Sequence, residues 1–228
     1  YNAKPVLALF DERGEAVGFA KVAVDEVSES YVRTEREWLE RAAGAPAPLR
    51  APAVRTLVDW HGRPVLVLEP LALPRLPRRR PGWAREAVAR SVLALGPVEV
   101  VPAGGAGALG RAAAEAGAAA DHELAALVEV VLEAHADREV EVGVWHGDLS
   151  PWNTASTRHE VLVWDWELAG EGMPVGSDLR HEQVMVATHL RGRPATDVVG
   201  ELDPADPAVA LYLLEVARRD RQARRVGR

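Results

Sequence analysis

Cysteine is absent from the 228 residues, which excludes disulfide staples, thiolate nucleophiles and Cys-ligated zinc. Any metal must be held by oxygen or imidazole, which favours a hard cation such as Mg2+. No apolar run approaches the roughly 18 to 20 residues of a membrane helix, and Tyr1 to Lys4 do not open as a positively charged start followed by an apolar stretch. The expectation is a soluble, cytoplasmic protein with no membrane partner. A surplus of basic charge is missing as well. The net charge of −7 argues against a nucleic-acid partner and would suit a cationic substrate, although a solvated acidic surface explains it too. Two further scarcities point to particular positions. Only Lys4 and Lys21 among 27 basic residues are lysine, and the only asparagines are Asn2 and Asn153. In a chain so biased toward Arg, Ala and Gly, a mid-chain Lys or Asn marks a place where the substitute would not work, so Lys21 and Asn153 become candidate functional residues.

What is present is an ordinary globular composition, long enough for one large domain or two lobes. Pro5 to Phe10 and Val17 to Val24 are short, apolar and β-branched, and the DERGEA between them supplies the turn of a hairpin. Ser28 or Ser30 can cap a helix running to about Ala43, with Tyr31, Glu35, Trp38, Leu39 and Ala42 near one stripe; Gly44 and Pro46 end it. Val54 to Trp60 and Val65 to Leu68 read as two more strands before Glu69-Pro70 breaks the pattern. The first seventy residues therefore read β-β-α-β-β. After the connection PRLPRRRPG, helices are expected near Trp83 to Leu93, Arg111 to Ala136, Ser177 to Leu190 and Ala208 to Arg225. The change of class marks a boundary near Glu69, separating 1–69 from 70–228. Arg78 to Arg80 read as a solvated linker.

The chemistry is concentrated in HGDLSPWN, from His146 to Asn153, and in Asp165 of VWDWE twelve residues later. If 157–161 turn the chain and Thr154 lies opposite Trp164, Asn153 and Asp165 return to one end of a small hairpin. An amide oxygen and a carboxylate then converge, both ligands that Mg2+ accepts. Asp148, on the same loop, could accept the proton of an attacking hydroxyl or hold that hydroxyl in line with phosphorus. Lys21, on an internal strand, offers a compact ammonium to phosphate oxygens. Its partner is expected to be Glu35, which shares the apolar stripe, rather than Glu37.

Order and spacing, from Lys21 through HxDxxxxN (His146, Asp148, Asn153) and Asp165 to the pair Asp178-Leu179, resemble the aminoglycoside phosphotransferase and choline kinase family, distant relatives of the protein kinases. The resemblance implies an α/β (α+β) two-lobed protein-kinase-like fold, with a small antiparallel-sheet N-lobe carrying one helix and a larger, mainly helical C-lobe. It also implies an ATP- and Mg2+-dependent kinase acting on a small hydroxylated molecule. In its terms Asp148 is the catalytic base and Asn153 and Asp165 hold Mg2+. Lys21 and Glu35 position phosphate, and backbone near Leu68, Glu69 and Leu71 receives the adenine. His146 and Asp178 support the loop. The family's first strand and glycine-containing phosphate loop find no match in the chain, which opens at Tyr1. Either the true N-terminus lies before Tyr1 or that loop is missing, and the second case gives a catalytically silent nucleotide-binding protein of the same fold as the alternative.

Other patterns read more plainly. His146 with Asp148 lacks a third nearby zinc ligand and reads as a core histidine. Gly105-Ala-Gly107-Ala-Leu-Gly110 fits GxGxxG after the strand-like Val98 to Val101, but helix follows where a dinucleotide site needs a second strand ending in an acid; a flexible connection is expected. Trp145, Trp152, Trp164 and Trp166 read as core packing around the motif. Asp197, Glu201, Asp203 and Asp206 could meet a cationic acceptor, and a solvated loop is the plainer reading. Acceptor identity and oligomeric state are not encoded in any recognisable pattern.

Overall fold

A computed structural model describes residues 4–71 and 85–226. Its contacts divide the chain into two compact units: residues up to Leu95 together with His146–Ala169, and Gly96–Trp145 together with the chain from Gly170 onward. The division differs from one at Glu69, because His146–Ala169 packs with the N-terminal segment. The Arg78 to Arg80 linker lies outside the described residues.

The first unit is built on a four-stranded antiparallel sheet, ordered β1 (Val6–Phe10), β2 (Ala16–Val22), β5 (Arg63–Leu68) and β4 (Val54–Trp60). Asp11 closes the first hairpin, its carboxylate accepting from the backbone N–H of Arg13 and Glu15 at 2.9 Å. Helix α1 (Glu26–Ala42) follows β2. Its cap is Asp25 rather than Ser28 or Ser30: Ser28 is instead the third helical residue and completes a reciprocal capping box with Asp25. The buried stripe of α1 contains Glu35, Trp38, Leu39 and Ala42 with Val32, whereas Tyr31 is only half-buried. A short strand β3 (Leu49–Arg50), not expected from the sequence, pairs parallel with β9 (Val161–Val163), which also pairs with β8 (Thr154–Ser156). This three-stranded sheet ties the His146–Ala169 segment to the first hundred residues. Helix α2 (Arg85–Leu93) completes the unit.

The second unit is mainly helical, as expected, and also carries a small sheet. An antiparallel sheet of β6 (Glu99–Pro102), β7 (Glu139–Trp145) and β10 (Gly170–Pro174), ordered β10-β7-β6, supports its helices. The helix expected over Arg111 to Ala136 is two, α3 (Gly107–Ala118) and α4 (His122–His135), because Asp121 caps a new start by accepting from the Leu124 N–H at 3.0 Å. Helix α5 (Ser177–Met185) runs into a π-helical turn to Leu190, and α6 (Ala195–Gly200) precedes the long α7 (Pro207–Val226). Alanines of α3 and leucines of α4 and α7 form one apolar core with Val140, Val142, Trp145 and Met173.

The glycine-rich string is not a flexible connection. Gly105 ends a 3-10 turn, and Gly107 opens α3 against Gly172 of β10. A Cβ on Gly172 would lie 2.9 Å from the Gly107 Cα, so two backbones meet where no side chain fits. Close packing, not phosphate binding, accounts for that glycine pair.

Candidate active site

The described chemistry of the first unit converges from three segments. His146 is fully buried, packed edge-on against Trp166 with ring centroids 4.5 Å apart. Its Nδ1 accepts the backbone N–H of Asp148 at 3.2 Å, which places a neutral ring's proton on Nε2. Gly147, with φ of +87°, turns the chain between them. The loop then folds on itself. The N–H of Ser150 donates to the Asp148 carbonyl at 2.8 Å, and a 3-10 turn over Pro151–Asn153 returns Asn153 to the loop's start. The Asn153 amide donates to the Asp148 carbonyl at 3.1 Å and to its carboxylate Oδ2 at 2.9 Å. This commits the Nδ2 hydrogens to Asp148 and fixes the half-buried Asp148 carboxylate.

The hairpin after Asn153 is as expected in kind and one residue off in register. Thr154 pairs with Val163 rather than Trp164, while the Trp164 N–H donates to the Asn153 carbonyl at 3.1 Å. Asn153 and Asp165 still sit at the same end. Thr157 sets the turn, its hydroxyl accepting from the N–H groups of His159 and Glu160. Asp165 leaves the strand in the left-handed region, φ +69° and ψ +57°, a conformation a non-glycine residue adopts at a cost and aspartate tolerates better than most. The 3-10 turn Trp166–Leu168 follows, anchored by the buried Trp166 indole donating to the Val163 carbonyl at 3.1 Å.

Lys21 joins these segments to the sheet and to α1. Its ammonium donates to Glu35 Oε1 at 2.6 Å and to Asp165 Oδ1 at 2.7 Å. Burial opposes that charge, but Glu35 and Asp165 outweigh it and hold the lysine pKa above its ordinary value. Glu35 is fully buried, whereas the rival Glu37 is exposed and paired with Arg41 at 3.1 Å. Two residues that sequence reasoning did not single out complete the cluster: Lys4 forms an ion pair with Glu167. Burial, together with the charge of Lys21, pushes the Lys4 pKa down to about 8, against the opposing pull of Glu35 and Asp165. Glu35, Asp165 and Glu167 each place a ligand oxygen within 4.8 Å of the others, so three carboxylates and two ammonium groups share one pocket of charge. The scarcity of lysine was a signal for Lys4 as much as for Lys21.

The remaining candidates fall in several places. Leu68 is buried at the end of β5, and Glu69 and Leu71 follow it half-buried; the Glu69 N–H donates to the Ala53 carbonyl at 2.9 Å and its carboxylate pairs with Arg50 at 3.1 Å. Asp178 is buried in the first turn of α5, within the other unit. Trp145 and Trp166 are core residues, Trp164 is half-buried, and Trp152 is exposed, so packing does not account for all four. Of the acids near the C-terminal helices, Glu201 pairs with Arg193 while Asp203 and Asp206 bind backbone N–H groups of Ala205 and Ala208 at 2.9 Å. No helix among the described residues is long and apolar enough to cross a membrane.

No family model matches the chain, and no curated protein matches it in sequence. Solved structures do. The crystal structure of a candidate fructosamine-3-kinase from Haemophilus somnus 129PT matches with a TM-score of 0.54 at 13% identity, covering 96% of this chain and 84% of that one. A thermostable mutant of aminoglycoside phosphotransferase APH(4)-Ia, in ternary complex with ADP and hygromycin B, matches with a TM-score of 0.52 at 12% identity, covering 94% and 84%. At such identity the likeness is one of fold. The chain has the protein-kinase-like fold of these phosphotransferases, with an antiparallel sheet in its N-terminal part and a C-terminal part rich in helices.

Proposed function

We propose that the protein is an ATP- and Mg2+-dependent phosphotransferase acting on a hydroxyl group of a small molecule such as an aminoglycoside, an amino alcohol or another hydroxylated metabolite. The observation that carries this reading is the Lys21 ammonium bound at once to Glu35 and to Asp165, residues 14 and 144 positions away. A buried glutamate holding a lysine beside a half-exposed aspartate is arranged to receive phosphate and cation together. The fold it shares with a structure holding ADP and hygromycin B supports the same reading.

Asp165 and the Asn153 side-chain oxygen are the residues that would hold Mg2+. Their chemistry fits a hard cation, since both offer oxygen and the Asn153 nitrogen is already committed to Asp148. Bound there, the cation supplies charge neutralisation to the phosphates. Lys21, kept in place by Glu35, meets phosphate oxygens, and the backbone near Leu68, Glu69 and Leu71 receives the adenine. Asp148 takes the acceptor's proton as its oxygen bonds to the γ-phosphorus and the bond to the bridging oxygen of ADP breaks. His146 holds the Asp148 backbone. Residues 1–69 supply most of the nucleotide side of this scheme and 70–228 the acceptor side, with the loop contributed by the latter. An excess of acidic charge suits a cationic acceptor.

The test is a phosphate-transfer screen over hydroxylated compounds with Mg-ATP, followed by Asp148→Ala on any substrate found. Unchanged turnover in that variant would sink the assignment. Tight ATP binding without transfer to any hydroxyl would favour the silent nucleotide-binding alternative.

A further inference from the structure

The chain has 27 basic residues and only two lysines, and both lie in the same buried cluster. The backbone explains how they meet. Val6 of β1 lies opposite Lys21 of β2, and the pairing continues outward with the Val22 N–H donating to the Pro5 carbonyl at 3.0 Å. Lys4, two residues before Val6, therefore falls on the same face of the sheet as Lys21. Each ammonium has its own glutamate: Glu35 for Lys21, and Glu167 for Lys4. The Lys4 side chain is 6% exposed and also lies over the Tyr31 ring, 5.8 Å from its centroid.

Two neighbouring ammonium groups repel, and burying them costs free energy that their carboxylates only partly return. A purely structural link at this position would be made as well by apolar side chains, or by the arginine the chain uses almost everywhere else. Nor is the cluster a closed one. Glu35 uses Oε1 for Lys21, while its Oε2 is buried with no hydrogen-bond partner among the described residues. What paired, compact, partner-held cations suit is a polyanion that can touch both. We propose that Lys4 is a second phosphate-positioning residue, held by Glu167 as Lys21 is held by Glu35, and that the two lysines together grip the polyphosphate chain of a nucleoside triphosphate. This inference rests on the phosphotransferase reading of the same site.

Binding of ATP, ADP and adenosine to the full chain, measured calorimetrically with Mg2+ present, tests it. Lys4→Met is expected to weaken ATP about tenfold and ADP less, with adenosine unchanged, and Lys4→Arg to recover part of the loss because it restores the charge. Glu167→Gln, which keeps Lys4 and frees it from its holder, should weaken ATP by roughly threefold and supplies the same comparison if Lys4→Met does not fold. Equal losses for ATP and adenosine, or no loss in any of these variants, would overturn the role of Lys4 and leave the nucleotide site standing. Failure of the unmodified chain to bind any of the three ligands would remove the phosphotransferase reading itself, and Lys4 with it.

Discussion

The two units each bury a cluster of charge, and the clusters differ in kind. In the first, two lysines face three carboxylates, Glu35, Asp165 and Glu167. In the second, arginines crowd one buried glutamate. Arg218 reaches Glu215 at 2.9 and 3.0 Å and Arg219 at 2.7 Å, with Arg111 at 3.7 Å. Arg219 also lies over the Trp145 ring at 4.2 Å. A guanidinium is a fixed planar fork whose value depends on matched geometry, so such a cluster is a closed structural joint. An ammonium is a point charge with rotatable donors that can exchange a carboxylate for a phosphate. On the phosphotransferase proposal, the pattern of lysine and arginine separates a site that trades partners from a joint that keeps them.

Breaking the comparison at its strongest point, Asp148→Ala should lower phosphate transfer by ~10^3-fold while the thermal midpoint of unfolding stays close to that of the unaltered protein. Glu215→Ala should do the reverse. It removes a buried carboxylate shared by three arginines and should cost about 3–5 kcal/mol in urea unfolding, with ATP affinity retained. Acid sharpens the same contrast. Burial alone would raise the Glu215 pKa, but the hydrogen bond from Arg218 and the charges of Arg219, Arg218 and Arg111 bring it down from 4.5 to about 2. A carboxylate with a depressed folded-state pKa gives stability that is whole above about 4.5 and is lost as pH falls toward 2. The stability difference between the unaltered protein and Glu215→Gln should therefore shrink over that window. The smallest effect is expected from Arg219→Lys, which keeps the charge and loses the fork over Trp145, at about 1–2 kcal/mol of unfolding free energy.

Legibility along the sequence followed the range of the interactions involved. Strands β1, β2, β4 and β5 and helix α1 were readable because their apolar periods and turn residues are local. The strands β3, β6, β7 and β10 escaped, or were weighed only as part of another motif, because each is short or draws its stability from a partner far along the chain. Leu49, for example, pairs with Val161. The split between α3 and α4 turned on one capping aspartate inside an alanine-rich run. At the site, the HxDxxxxN spacing and the distant aspartate were legible because a loop and hairpin constrain them locally. The pairing of Lys4 with Glu167 was not, since nothing in the order of residues joins positions 4 and 167.

The residues capable of phosphate chemistry, their order, and the choice of Glu35 over Glu37 follow from the amino-acid sequence alone, because side-chain type and helical period decide them. Tertiary structure decided which charges share a pocket. It brought both lysines to three carboxylates and set Asp165 in a left-handed turn, through strand register and burial that only the folded chain possesses.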